Sequence, residues 1–454
     1  MSTSNTALQQ FVSTKGLKLE VVARAHREQA ALNGDLGVRT QKSTVSMWCS
    51  GQRQPRGRSV EYLAQALSKI VGRLVTLDEI GYGTMQPTEL PTLSMDPVAA
   101  TTDLGRALMD TNRRDFLQRA VYVSAALALP LHYDDEAVDR TLRARRPGAR
   151  VGAADVTAVR NTVQVFRAAD EQLGGGHGLT AATFYLTDAA APMLSGRYED
   201  EKTRLDAFNA VAELAYLLAW KHHDLQQEGA AQRYYLLGYQ LACVADRNGH
   251  GAWMLRALAH QALNLKQPQH CVALAEEALC RSAGRVDAQT RAMLLITSAR
   301  AYGATKQGSK AADALLSAED ELTRGTDPVA DYALAAGPAG ATISSHTGKT
   351  LSELGDHKNA EKHRRAALTG RDPEKFRRIH ALTLDELAGT LDKQNHMDEA
   401  VSTWGQALTL MDGITSKRNT ESIKAMRETM RRYQARGVPG AAALSERARV
   451  ALAG

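Results

Sequence analysis

Hydrophobic positions recur at helical spacing along most of this chain. Leu8, Phe11 and Val12 predict a short first helix over residues 6–12, and Leu19, Val22 and Ala23, continued by Ala25 to Ala30, predict a second from Leu17 to about Ala31. A loop containing Gly34 and Gly37 leads to the stretch 39–58, RTQKSTVSMWCSGQRQPRGR. There Val45 and Trp48, three apart, bury one face of a short helix that Ser43 is expected to cap, while Thr44, Ser46 and Met47 stay open and Gly51 ends it. Val60, Leu63, Ala64, Leu67 and Ile70 predict a fourth helix over 59–71, and Thr76-x-x-Glu79 has capping-box spacing. Residues 1–80 thus read as a four- to five-helix domain whose second and third helices form a helix-turn-helix.

The pattern then weakens. Residues 81–110 carry Pro87, Pro91 and Pro97 with few large apolar residues, the composition of a linker. Asn112-Arg113-Arg114-Asp115-Phe116-Leu117 and the apolar run from Ala120 to Leu131 resemble a twin-arginine export signal, yet lie too far into the chain to serve as one. They read instead as a helix docking through Phe116, Leu117, Val121 and Leu127. With the basic tract Arg140, Arg143, Arg145 and Arg146, a solvated linker or an auxiliary phosphate contact, they make up a segment over 111–153.

From 154 to 454 the chain repeats. Ala219, Ala259, Ala299, Gly348 and Ala388 recur at intervals of 40, 40, 49 and 40. Twelve residues after each stands Ala231, Cys271, Ala311, Ala360 or Ala400, and nineteen after each Gly238, Ala278, Ala318, Ala367 or Ala407. Small residues in this register let two antiparallel helices approach closely. Residues 154–196 are less regular; Gly174-Gly175-Gly176 is expected to turn the chain tightly, and residues 420–453 form a last hairpin.

Charge sharpens this division. Of the net +6, residues 1–80 hold +5, from eleven Lys and Arg against six Asp and Glu; residues 151–454 hold +1, from 36 against 35. A basic compact module suits a polyanion such as nucleic acid. Cys49, Cys243, Cys271 and Cys280 show no metal spacing, which fits a reduced cytosolic protein. No apolar run is long enough for a membrane helix, and the start has no secretory pattern.

Candidate catalytic chemistry is thin. Gly348-Lys349-Thr350 lacks the glycine five residues earlier that a phosphate loop needs, position 343 being Ile. His222 and His223 are adjacent and point to different helix faces, and His177 has no patterned partner. No catalytic residue, cofactor or metal site is expected.

The run S-T-V-S-x-W-x-x-G-x-x-x-P from Ser43 resembles the recognition-helix signature of Cro/repressor-type (XRE-like) helix-turn-helix domains, with a longer loop between Arg27 and Arg39 than their usual turn. The repeats resemble the tetratricopeptide (TPR) pattern, with a period above its usual 34. Their order, with an N-R-R-x-F-L segment between them, is similar to that of XRE-like helix-turn-helix/TPR transcriptional regulators of the actinomycete type. The resemblance implies an all-α protein with a helix-turn-helix domain joined by a linker to a TPR α-solenoid. It also implies a cytoplasmic regulator, nucleoid-associated when bound to DNA, that binds double-stranded promoter DNA and whose TPR domain mediates homodimerisation, sensing of a peptide or small-molecule ligand in its groove, or both. Ser43, Thr44, Ser46 and Met47 are then expected at base edges, and Lys42, Arg53, Arg56 and Arg58 at phosphates. A TPR adaptor without direct DNA binding is the competing expectation.

Overall fold

A computed structural model describes residues 6–32, 35, 37–55, 59–71, 75, 77, 79–82, 93–109, 122, 124–132, 148–246, 249–325 and 327–453. Among these the chain is all-helical apart from two two-residue strands, Arg150–Val151 (β1) and Arg197–Tyr198 (β2), paired in parallel.

Four helices form the N-terminal module: α1 (Thr6–Thr14), α2 (Leu19–Leu32), α3 (Lys42–Cys49) and α4 (Ser59–Val71). Their apolar stripes converge on one core. Leu8 and Val12 of α1, Val22 and Ala23 of α2, Val45 and Trp48 of α3, and Val60, Leu63 and Leu67 of α4 are all buried in it. Val75, Ile80 and Tyr82 close it from the following turns. Thr76 lies outside the described residues.

The segment expected to be a linker is shorter than 81–110. Pro97–Met109 is a helix (α5), with Pro97 at its first position, where the missing N–H is no loss. Asp96 accepts from the N–H groups of Val98 and Ala99, and Val98 and Thr101 are buried. Residues 83–92 lie outside the described residues. The docking segment is also corrected: Leu127 is buried as expected, but in a 3-10 turn, Ser124–His132, that contains Pro130. Proline removes an amide donor that an α-helix would use. Tyr239 donates its hydroxyl to the Pro130 carbonyl at 3.0 Å and holds the turn to the body. Phe116, Leu117, Val121 and the basic tract lie outside the described residues.

The body starts with α6 (Ala153–Leu173) and α7 (Leu179–Tyr185), which runs on through a π-turn at Leu186–Ala190. Six antiparallel hairpins follow among the described residues. They pair α8 (Glu201–Asp224) with α9 (Glu228–Ala245), α10 (His250–Asn264) with α11 (Pro268–Arg281), and α12 (Ala288–Ala304) with α13 (Gly308–Arg324). Next come α14 (Ala339–Leu354) with α15 (His357–Thr369), α16 (Arg377–Lys393) with α17 (Met397–Met411), and α18 (Lys417–Gln434) with α19 (Ala441–Ala451).

Every repeated small residue of the first five hairpins is buried. Gly348 shows why: a Cβ there would stand 3.1 Å from the Ala360 carbonyl oxygen on the facing helix. The turns share a second feature. Seven residues after each first small residue the backbone is left-handed, at Gln226, Lys266, Lys306, Gly355 and Asn395, with φ of 56°, 58°, 60°, 93° and 65°. The next N–H reaches back to a carbonyl five residues earlier, as from Gln227 to His222 at 2.9 Å and from His396 to Leu391 at 2.9 Å. That closure satisfies carbonyls at the end of each first helix. The single interval of 49 has a simple cause: a 3-10 turn, Asp331–Ala336, is inserted between α13 and α14.

Gly174 to Gly176 do more than turn the chain. A Cβ at Gly174 would meet the Thr415 carbonyl oxygen at 2.5 Å, and one at Gly175 the Lys221 carbonyl oxygen at 2.6 Å. The glycines let the end of α6 lie directly on α8 and on the chain before α18, and Thr415 donates its N–H to the Leu173 carbonyl at 2.8 Å. Below that contact Arg378, fully buried, pairs with Asp170 at 2.8 Å, Glu171 at 3.1 Å and Asp224 at 3.4 Å. An α16 side chain is thereby clamped to α6 and α8, and hairpins far apart in sequence are joined.

Candidate nucleic-acid interface

The expected interface centres on α3, and its geometry begins one helix earlier. His26 of α2 is completely buried, its ring 5.1 Å from that of Trp48 and 6.0 Å from that of Tyr62. Its Nε2 donates to the Ser59 carbonyl at 3.0 Å and its Nδ1 accepts from the Thr40 hydroxyl at 2.9 Å. Those two bonds define a neutral imidazole. Burial, the largest cause, holds its pKa below the usual value. One side chain therefore ties α2 to the residue two before α3 and to the first residue of α4. Arg27 adds a bond to the Thr40 carbonyl. Together they set how α3 stands on α2.

α3 starts two residues earlier than a Ser43 cap requires. Gln41 is the extended residue before the helix, and its N–H donates to Thr44 Oγ1 at 3.4 Å. Thr44 rather than Ser43 thus supplies the first-turn side-chain contact, because it stands three residues into the helix where the hydroxyl reaches back. Thr44 is half-buried; Ser43, freed from capping, is exposed.

Behind this face Val45, Trp48 and Cys49 are buried. Ser46 is exposed on the same side as Ser43, three residues on, and Met47 is half-buried. Gly51 is left-handed at φ 73°, as its place after the helix predicts, and turns the chain so that Arg53 N–H meets the Met47 carbonyl at 3.2 Å. Arg53 is exposed and Pro55 buried, so the cation is carried on an anchored turn. Lys42 is exposed too but engaged, its Nζ 2.8 Å from Glu20 of α2. Lys42, Ser43 and Ser46 are thus exposed on α3, and Arg53 is exposed on the turn that is bonded back to its last turn. Arg56 and Arg58 lie outside the described residues.

Sequence reasoning passed over His26. Its signal was present: it falls four residues after Val22, on the buried stripe of α2, where a polar ring must find partners.

The other candidate groups are absorbed by packing. His222 lies against the Tyr234 ring, 5.4 Å between centroids, and bonds Gln227 at 2.6 Å; burial pushes its pKa down to about 4. His223 bonds Glu228 at 2.8 Å. Lys349 sits mid-helix in α14 and pairs with Glu386 at 2.8 Å, so Gly348-Lys349-Thr350 builds no phosphate loop. His177 is exposed, and its carbonyl accepts from Lys221 at 2.9 Å. Among the described residues no group of His, Cys, Asp and Glu could hold a metal ion, and no helix is long and apolar enough to cross a membrane.

Fold and site define a class: an all-helical protein with a small N-terminal module in front of tandem helical hairpins. Within it, the SP15 N-terminal domain family matches residues 8–83, the span of α1–α4 and the turns that close their core. No curated protein matches the chain.

Proposed function

We propose that this protein is a DNA-binding transcriptional regulator in which α2 and α3 act as a helix-turn-helix and the hairpin body, a TPR-like solenoid, dimerises and senses a ligand. The observation that carries the reading is the split character of α3. Its back is locked by Trp48 and His26, while Ser43 and Ser46 stand exposed beside Arg53. A short helix whose exposed face is small and polar can enter a major groove, and a cation on the next turn can hold a phosphate. Ser43, Ser46 and Met47, with the outer edge of Thr44, read bases; Arg53, with Arg56 and Arg58, meets the backbone.

One module offers little contact area, so two copies on two half-sites supply the affinity. The body, close to neutral, is the better place for that symmetric contact than the basic module.

Binding of the full chain to promoter fragments, recovered by a genome-wide map of bound DNA, tests the reading. Affinity should fall steeply with salt. Arg53→Ala should weaken all sequences about equally and lower the salt slope by about one, while Ser46→Ala should change sequence preference by about 1–3 kcal/mol at one position. Salt-independent or absent DNA binding by the folded chain would leave the body as an adaptor and end the proposal.

A further inference from the structure

The repeats give the body an inner wall with a composition of its own. In four of the five aligned first helices the residue directly after the repeated small residue faces one concave cavity. Those residues are Trp220, His260, Arg300 and Lys349 in four successive hairpins. The residues one turn before, Tyr216, Arg256 and Ser345, face it as well. A spacing of four on one helix face explains the pairing. The cavity opens to solvent, and Arg371 and Arg418 complete its lining.

Several of these cations lack a matching anion. Arg256 lies 4.3 Å from the Trp253 ring centroid, and its Nε donates to the Met293 carbonyl at 3.4 Å. Arg371 is 6% exposed; it donates Nη2 to Thr342 at 3.0 Å, and its Nη1 is buried without a partner. Arg418 lies over Trp220 at 5.6 Å with its own Nη1 unpartnered, and Arg300 reaches Glu353 only at 3.8 Å with Nε unpartnered. Of the lining acids, Asp170 is held by Arg378 and Lys221, while Glu171 is shared between Arg378 and the charge of Arg371 and keeps a buried Oε2 without a partner. His260 and His346 stack at 4.8 Å, each with a buried Nδ1 that has no partner, and both are driven well below their usual pKa by burial and then by neighbouring cations.

Six cations of the lining, Arg167, Arg256, Arg300, Lys349, Arg371 and Arg418, face two lining acids, and Arg256 is buried with no carboxylate beside it, so the wall favours an incoming anion. The demand exceeds one carboxylate. Phosphate carries close to two charges and three acceptor oxygens, and guanidinium groups bind it in bidentate fashion. Tyr216, Trp220 and Phe376 supply ring surface beside the charges. We propose that this cavity binds a small phosphomonoester with an aromatic portion, phosphate on Arg256, Arg371 and Arg418 and ring against Trp220. This deepens the reading of the body as the sensing part and rests on it only for the consequence, not for the binding.

Phenyl phosphate is the probe, titrated into the full chain at constant ionic strength and followed by calorimetry and by tryptophan fluorescence. Saturable binding and a raised melting temperature are expected, with benzoate and phenol at least about ten-fold weaker. Arg256→Met and Arg371→Met should each lower the affinity by about ten-fold or more, and Arg256→Met should leave the ligand-free melting temperature equal or higher, because a buried charge with no carboxylate beside it has been removed. A purely structural arginine would do the reverse. Should either variant fail to fold, Arg371→Lys keeps the charge, loses the fork and should still weaken binding. Arg324→Met, on the outer surface, is the charge control and should bind as the parent does. Absence of saturable binding, equal binding of benzoate, or unaltered affinity in Arg371→Met and Arg371→Lys overturns the proposal. Promoter binding measured without the probe keeps the two readings apart: DNA affinity with no probe binding refutes the cavity alone, and the converse refutes the regulator alone.

Discussion

The module and the body treat charge in opposite ways. In the module the described interior buries no charged side chain, its polar groups being neutral ones such as His26, Gln29 and Thr40, and Lys42 and Arg53 stand in water. In the body Arg378, Arg256, Arg371 and Arg300 are 0%, 5%, 6% and 8% exposed, along one clamp and one inner wall. Net charge suggests the contrary, at +5 for residues 1–80 and +1 for residues 151–454. A net count sees a basic surface but not cations gathered on an inner face. It is a guide to long-range attraction rather than to a buried site.

The comparison is broken most directly at Arg378. Its removal leaves Asp170 to Lys221 alone, Asp224 to the Gly175 N–H and Glu171 without its cation at 3.1 Å, at about 3–5 kcal/mol for a broken buried pair. Arg378→Met should lower the urea midpoint of the body accordingly, with Trp253 fluorescence as the readout, whereas Arg256→Met should not. Equal losses in the two variants would erase the distinction between a clamped cation and an unpaired one. In the module the corresponding weak point is apolar. Trp48→Ala should cost about 3–5 kcal/mol and unfold residues 6–82 while the helical circular dichroism of the body persists. A folded module with DNA binding selectively lost would place Trp48 at the interface instead of in the core.

Much of the body was legible because helix packing leaves a periodic trace. Ala219 and its counterparts had to be small for backbones to approach, and spacing alone located them. The turns were not legible, since Gln226, Lys266 and Lys306 take a left-handed conformation usually signalled by glycine, and tertiary closure imposes it. The inner wall was one position away from the residues already aligned, at Trp220, His260, Arg300 and Lys349, and passed unseen because the alignment followed small residues only. In the module the apolar spacing gives helix 59–71 its observed bounds, while the start of α3 is ambiguous in sequence: Ser43 and Thr44 both carry a hydroxyl, and only the backbone path makes Gln41 the residue before the helix and Thr44 the one that reaches back. Pro97 was read as a linker signal when it opens a helix.

Acid sharpens the contrast further. Burial pushes His222 down to about 4 and His250 to about 3, against about 6.5 for an unfolded histidine. As pH falls below 6.5 the unfolded chain takes up protons first, so stability is lost toward pH 4, by about 1.4 kcal/mol per pH unit for each such histidine. Glu213 and Asp385, raised by burial to about 7 and about 6, work the other way and add stability as pH falls through that range. His260 and His346 tip the sum in the body toward acid lability, while the module holds only His26. Scanning calorimetry at pH 7 and pH 5 should show the body transition shifting down more than that of the module. Equal shifts would mean that the body histidines are not held neutral.

The smallest effect tests how free the exposed charges of the module are. Lys42 is held at 2.8 Å by Glu20, both side chains well exposed, and the lysine lowers the carboxyl pKa of Glu20 first through their hydrogen bond and then through its charge. A phosphate approaching Lys42 must compete with that carboxylate and is also repelled by it, whereas Arg53 has no such competitor at its side chain among the described residues. Lys42→Ala should therefore reduce DNA affinity less than Arg53→Ala does. Glu20→Gln should do the unusual thing and tighten binding, by about two- to five-fold at moderate salt, with the slope of log affinity against log salt steepened by up to about one ion. The double variant Glu20→Gln, Lys42→Ala should lose that gain, since there is no lysine left to release. If Glu20→Gln leaves both affinity and slope unchanged, Lys42 does not reach the backbone of the DNA, and the cationic contact belongs to the turn after α3 alone.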